Sequence, residues 1–175
     1  MSNVGVTYQV QPQPWDESCT RWVAAGPLRI GVEWRDVDPE ALLATYGAGT
    51  DDMAEIVEKS PAGGFFDKGV SLHVCAVDPA HEFLRFDVFD DDPHYHYVDT
   101  SGQSNRVVAF DEVAHGDMLP WALDRLRTNL PAMLRGAGGD GVAALVEGMP
   151  ASELAVAVDE VAALATEARR SQRLS

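Results

Sequence analysis

The stretch Val70-Ser71-Leu72-His73-Val74-Cys75-Ala76-Val77-Asp78-Pro79-Ala80-His81-Glu82-Phe83-Leu84-Arg85-Phe86-Asp87-Val88-Phe89-Asp90-Asp91-Asp92-Pro93-His94-Tyr95-His96-Tyr97-Val98 decides the fold. Leu72, Val74 and Ala76 alternate with Ser71, His73 and Cys75, and Leu84, Phe86 and Val88 alternate with Arg85 and Asp87. Period-two alternation is the pattern of strands, whose successive side chains point to opposite faces. Asp78-Pro79 and the run Asp90 to Pro93 break the pattern with turn residues. The block predicts three strands, Val70 to Val77, Phe83 to Phe89 and His94 to Val98, and connections this short make them antiparallel.

Outward from this block, Leu28, Ile30, Val32 and Trp34 alternate with Arg29, Gly31, Glu33 and Arg35 and predict a further strand with one buried face. Arg106 to Asp111 reads as another, and Thr7 to Val10 as a short strand that Pro12 and Pro14 interrupt, with only extended chain to follow. Asp38-Pro39-Glu40 supplies an N-cap, a first-turn proline and a first-turn acid, so a helix is expected over 39–46, and a second between Thr50 and Pro61. Residues 61–69 read as a loop whose paired Phe65 and Phe66 either lid a pocket or plug the edge of the core. Beyond His115 the period becomes helical. Asp117 caps a helix carrying Leu119, Leu123, Leu126 and Leu130, Pro131 kinks or restarts it, and a short helix reaches Val146. A last helix aligns Leu154, Val158, Val161, Ala165 and Ala168. Strands followed by helices predict an α+β fold: an antiparallel sheet of about five strands in residues 20–112, packed by C-terminal helices. The whole of 1–175 is expected to form one domain, sheet-rich over 1–113 and helical over 117–173.

Charge bounds the partners. The 28 acidic and 13 basic residues leave a formal net charge of -15, which repels a phosphate backbone and argues against nucleic acid and anionic membranes. No apolar run approaches the roughly 20 residues of a membrane span, and the N-terminus lacks the pattern of a signal peptide. A cytoplasmic location is expected, with Cys19 and Cys75 as reduced thiols.

Four of the five histidines, His73, His81, His94 and His96, fall beside an aspartate-rich stretch. His94 and His96 project from one face of their strand, and Tyr95 and Tyr97 from the other. If Asp91-Asp92 centres its turn, the second hairpin sets Phe89 opposite His94 and Asp87 opposite His96. Pairing Ala76 with Leu84, Val74 with Phe86 and Leu72 with Val88 aligns the apolar residues of the first and sets His73 opposite Asp87. His73, Asp87 and His96 would then form one row, close enough to hold a metal. Two imidazoles and a carboxylate suit iron, manganese or zinc. His94 is expected as a fourth ligand or acid/base, and Arg85 as the binder of an anionic group on a small-molecule substrate. Without metal, an ionised Asp87 should raise the pKa of both flanking imidazoles above about 6.5. His81 and His115 are expected to face solvent, and Asp90 to Asp92 to form a solvated turn.

The HxH pair is similar to the first motif of the cupins, but that motif's preceding glycine, its following glutamate and a second histidine motif are missing, so the sequence does not place the chain in that family. Two functions compete. One is a small metal-dependent enzyme, an oxygenase or lyase. The other is a non-catalytic interaction subunit or homo-oligomer in which the His/Asp network is structural and the C-terminal helix docks on a partner or a second copy.

Overall fold

The computed structural model describes residues 4–60 and 66–173. Six strands follow one another as an antiparallel meander: β2 (Thr20–Ala25), β3 (Leu28–Val37), β4 (Asp67–Ala76), β5 (His81–Phe89), β6 (His94–Val98) and β7 (Asn105–Ala109). β1 (Val6–Tyr8) adds to the far side of β7, so the spatial order is β1-β7-β6-β5-β4-β3-β2. The sheet therefore has seven strands rather than about five. Besides β1, the additional strand is β2, which pairs with β3 through a two-residue turn at Gly26-Pro27. That Gly-Pro pair was the available signal: Gly26 takes a φ of 58°, which glycine adopts at no steric cost.

Seven helices lie among the described residues. α1 (Pro39–Tyr46) and α2 (Asp51–Lys59) are capped by Asp38 and Thr50, whose side chains accept from the N–H groups of Ala41 and Met53. α3 (Glu112–His115) is a single turn that the sequence pattern does not reveal, being too short for a period. α4 (Met118–Thr128), α5 (Leu130–Gly136), α6 (Asp140–Gly148) and α7 (Ala151–Arg173) follow as expected, with Pro131 beginning a new helix. No single helix is long and apolar enough to cross a membrane among the described residues. β4 begins at Asp67, inside the expected loop, and Phe66 is 72% exposed, so it does not plug the core. Phe65 lies outside the described residues.

One face of the sheet carries the apolar core. Leu28, Ile30, Val32, Val70, Leu72, Val74, Leu84, Phe86 and Val88 pack against Met118, Ala122, Leu126, Leu134 and the α7 stripe. Each fully buried aliphatic side chain contributes about 1.5–3 kcal/mol. Leu154, Val158, Val161 and Ala165 are all buried here, so that stripe is core of this chain and not a free docking face. Tyr95 and Tyr97 pack against the same core from β6.

The opposite face is polar and also buried, because a second layer covers it. Residues 9–18 cross this face, where Asn105 donates to the Val10 carbonyl at 2.8 Å, Arg85 to the Gln13 carbonyl at 2.7 Å, and Asp16 N–H to Glu33 at 2.9 Å. α1 and α2 hold the segment down: Tyr46 donates to the Gln11 carbonyl and Gln9 N–H to Glu55. Trp22 lies over Gly31, where an added Cβ would sit 2.8 Å from both the indole Cζ3 and Thr20 Cγ2. Gly31→Ala is expected to destabilise the fold by about 1–3 kcal/mol through overpacking against this rigid ring. Urea unfolding checks it, and an unchanged midpoint would show that the ring gives way freely.

Candidate functional site

Both hairpins pair two residues away from the predicted register and keep the predicted faces, except past a β-bulge at Val74 and Cys75, where the offset becomes three and Phe83 turns to the core. His73 lies opposite Arg85, and Ser71 opposite Asp87. Across β5 and β6, Asp87 faces His94 and Arg85 faces His96. A slip of two preserves which side of the sheet a residue faces and changes only its partner. The expected row of His73, Asp87 and His96 is therefore replaced by two clusters.

The first cluster centres on Asp87, which is 3% exposed. His96 Nε2 lies 3.0 Å and His94 Nε2 3.3 Å from the same oxygen, Asp87 Oδ2, while Ser71 donates to Oδ1. The far nitrogens fix the tautomers. His94 Nδ1 is 2.6 Å from the Asp92 carbonyl, and His96 Nδ1 is 2.8 Å from Asn105 Oδ1. The Asn105 amide is oriented because its Nδ2 donates to Val10, so its oxygen faces the ring. Both Nδ1 atoms must therefore be donors, which leaves each neutral ring with an Nε2 lone pair directed at a carboxylate oxygen. That arrangement is repulsive unless a proton or a cation lies between them.

Protons satisfy the two rings unequally. Burial works against the charge on His94, yet the hydrogen bond and charge of Asp87 prevail and raise its pKa. Burial dominates at His96, with the neighbouring His94 and Arg85 adding to it against Asp87, and its pKa is lowered. The expectation that both imidazoles flanking Asp87 rise thus fails for His96, where burial, helped by the charge of a His94 ring whose centroid is 5.0 Å away, outweighs Asp87. Asp87 itself is opposed by burial but held well below the usual carboxylate range by its close contacts with His94 and His96.

A divalent cation satisfies both rings at once. Ligands about 2.1 Å from a metal are separated from one another by about 3.0–3.4 Å in octahedral or tetrahedral arrangements, which matches the 3.0 and 3.3 Å between Asp87 Oδ2 and the two Nε2 atoms. Asp87, His94 and His96 form a group whose ligand atoms all lie within 4.8 Å of one another and could hold a metal ion. The Nδ1–H groups on carbonyl oxygens and Ser71 on the free carboxylate oxygen hold the three side chains in place, as outer hydrogen bonds do around metal ligands in general.

The second cluster takes His73 and Arg85 out of the roles expected of them. His73, fully buried, sits between two carboxylates, with Nδ1 2.7 Å from Glu82 and Nε2 2.9 Å from Glu33. Arg85 clamps Glu82 through Nε at 3.0 Å and a terminal nitrogen at 2.7 Å, and its other terminal nitrogen donates to Gln13. All three of its nitrogens are engaged, so it does not present a fork to an anionic substrate. Arg35 lies 3.8 Å from Glu33 and donates to the Gln13 side chain. Burial opposes the charge on Glu82, but Arg85 and His73 hold its carboxyl at about 2.

Glu33, Glu82, Ser71 and Asn105 are members of these clusters that the sequence reading did not single out. Glu33 and Arg35 were visible on the polar side of β3, but nothing local reveals that residues 9–18 bury that side. His81 is half-buried rather than solvent-facing, while His115 is exposed, its ring tilted against those of Phe110 and Trp121. Asp90 to Asp92 form the exposed turn. Cys19 and Cys75 are free thiols.

Fold and site together define a class: an antiparallel meander backed by helices on its apolar face, with carboxylate–imidazole clusters buried on the other. The chain belongs to the family described as domain of unknown function DUF7700, whose model matches residues 22–165. That span holds every β3 to β7 side chain of both clusters, whereas the covering segment 9–18 lies outside it. No curated protein and no solved structure matches the chain.

Proposed function

We propose that this protein is a small metal-dependent enzyme in which Asp87, His94 and His96 hold one divalent cation. The observation that carries this reading is the convergence of two Nε2 atoms on one carboxylate oxygen, with both Nδ1 atoms committed to carbonyl acceptors. Two histidines and one carboxylate leave coordination positions open, a ligand set suited to iron, manganese or zinc. Such a cation supplies Lewis acidity or activation of a small co-substrate, which fits an oxygenase or lyase acting on a small organic molecule. Ser71 orients the carboxylate and Asn105 orients His96. His94 is the least buried of the three.

A second reading, a non-catalytic interaction subunit or homo-oligomer, draws support from the closure of the His73, Glu33, Glu82 and Arg85 cluster, which is complete without any ligand. Elemental analysis separates the two. Protein produced with iron, manganese or zinc supplied is expected to carry about one equivalent of metal. His96→Ala should lower metal affinity at least about tenfold, and Arg29→Gln, outside the cluster, should leave it unchanged. Equal metal content in wild type and His96→Ala would remove the site, and no metal under any of the three supplies would favour the structural role.

A further inference from the structure

A groove of about 380 Å³ opens on the polar face at the β4–β5 hairpin end, away from the Asp87 cluster, and its walls include Pro14, Trp15, Arg29, Cys75, His81 and Glu82. The volume falls within the range of small-molecule sites. Arg29 is the unusual member. Its guanidinium stacks 3.9 Å from the centroid of Trp22 and 5.8 Å from that of Trp15, and it makes no hydrogen bond or ion pair with any described residue. Stacking holds the planar group while leaving its in-plane N–H donors available, the state in which arginine recognises a carboxylate in a fork.

His81 supplies a second unpaired group. Its ring packs edge-to-face on Phe83 with centroids 4.5 Å apart, and its Nε2 is shielded from solvent without a hydrogen-bond partner among the described residues. A polar atom shielded in this way is normally paired, and a turn of the half-buried ring toward the groove that His81 lines would let a ligand oxygen pair it. The other ionisable walls are already committed. Glu82 is held by Arg85 and His73, and the Cys75 thiol, pushed up to about 12 by burial and by the charge of Glu82, stays neutral and does not serve as a nucleophile.

We infer that this groove binds a small organic carboxylate monoanion, its charge on Arg29 and His81 and its apolar body against Trp15 and Pro14. Arg29 already occupies the cation position on the indoles, so a cationic ligand is disfavoured. A dianion such as phosphate meets Glu82 at the wall and a net charge of -15 around it. The inference stands apart from the metal reading, since neither Arg29 nor His81 touches Asp87, His94 or His96.

Isothermal titration of the full chain tests it with benzoate as the probe, against inorganic phosphate and benzylamine. Benzoate is expected to bind saturably, phosphate at least about tenfold more weakly, and benzylamine not at all. Arg29→Gln should weaken benzoate about tenfold or more, Arg29→Lys and His81→Phe by less, and Asp87→Asn should leave the Kd unchanged. Should Arg29→Gln fail to fold, Arg29→Lys and His81→Phe decide. Absence of saturable benzoate binding, an unchanged Kd in the folded Arg29 and His81 variants, tighter binding of phosphate than of benzoate, or loss of binding in folded Asp87→Asn would each overturn it.

Discussion

Replacing Arg85 with alanine is expected to cost the fold about 3–5 kcal/mol, because it strands a buried carboxylate. Arg85 is 1% exposed and provides the two-pronged clamp on Glu82 as well as the donor to the Gln13 carbonyl. Its removal leaves Glu82 with His73 alone, frees one anchor of the covering segment, and opens a cavity. The charge is what costs most: in the double variant Arg85→Met with Glu82→Gln, the amide can still pair with His73 and no unpaired charge remains, so much of the loss should return. Urea unfolding of the three proteins measures this, and a single Arg85→Ala variant as stable as wild type would contradict it. The same cluster sets acid sensitivity. Glu82 is depressed to about 2 in the folded protein, so its contribution is present above its unfolded pKa near 4.3 and is lost as pH falls from there toward 2. Without Arg85 that depression shrinks and the acid transition should move upward in pH.

Chelation of the metal-loaded protein at pH 7.5 is expected to lower its melting temperature by about 5–10 °C. A ligand present at about 100 times its Kd stabilises the native state by about 2.7 kcal/mol, and each kcal/mol moves the Tm of a chain this size by about 2–4 °C. The pH dependence carries a sign. Ligation needs neutral imidazoles, so the metal-dependent part of the stability should shrink as pH falls from 8 to 6. The metal-free pair behaves differently. The pairing of His94 with Asp87, its pKa raised, stabilises fully below about 6.5 and fades as pH rises through the folded value, while His96, its pKa lowered, contributes above about 6.5 and fades as pH falls. A melting temperature indifferent to chelator at every pH would contradict a structural contribution from bound metal.

How far the sequence revealed this arrangement can be judged strand by strand. Alternation in β3 to β6 assigned most residues their correct face, since that parity depends on the backbone alone, but it missed Phe83, which the β-bulge turns into the core while Glu82 joins His73 on the polar face. Partnering depends on turn length. Centring the second turn on Asp91-Asp92 paired Phe89 with His94, whereas Asp87 actually faces His94 and residues 90–93 remain outside the ladder. In the first hairpin a β-bulge between Val74 and Cys75 interrupts the register, and apolar alignment, satisfied equally well two residues away, could not detect it. Asp87 and His96 were thus legible as neighbours, and His94 takes the place assigned to His73. Glu33, Arg35, Glu82 and Arg85 were not legible as a cluster. Their burial depends on residues 9–18, a proline-interrupted segment whose own pattern predicts only extended chain.

The most direct measurement is anomalous scattering from crystals of the full chain grown with zinc. It should give one peak about 2.0–2.2 Å from each of Asp87 Oδ2, His94 Nε2 and His96 Nε2, with His73 still between Glu33 and Glu82. A peak elsewhere, a peak ligated by His73, or no peak in crystals grown with zinc, iron or manganese would contradict a metal centre on β5 and β6.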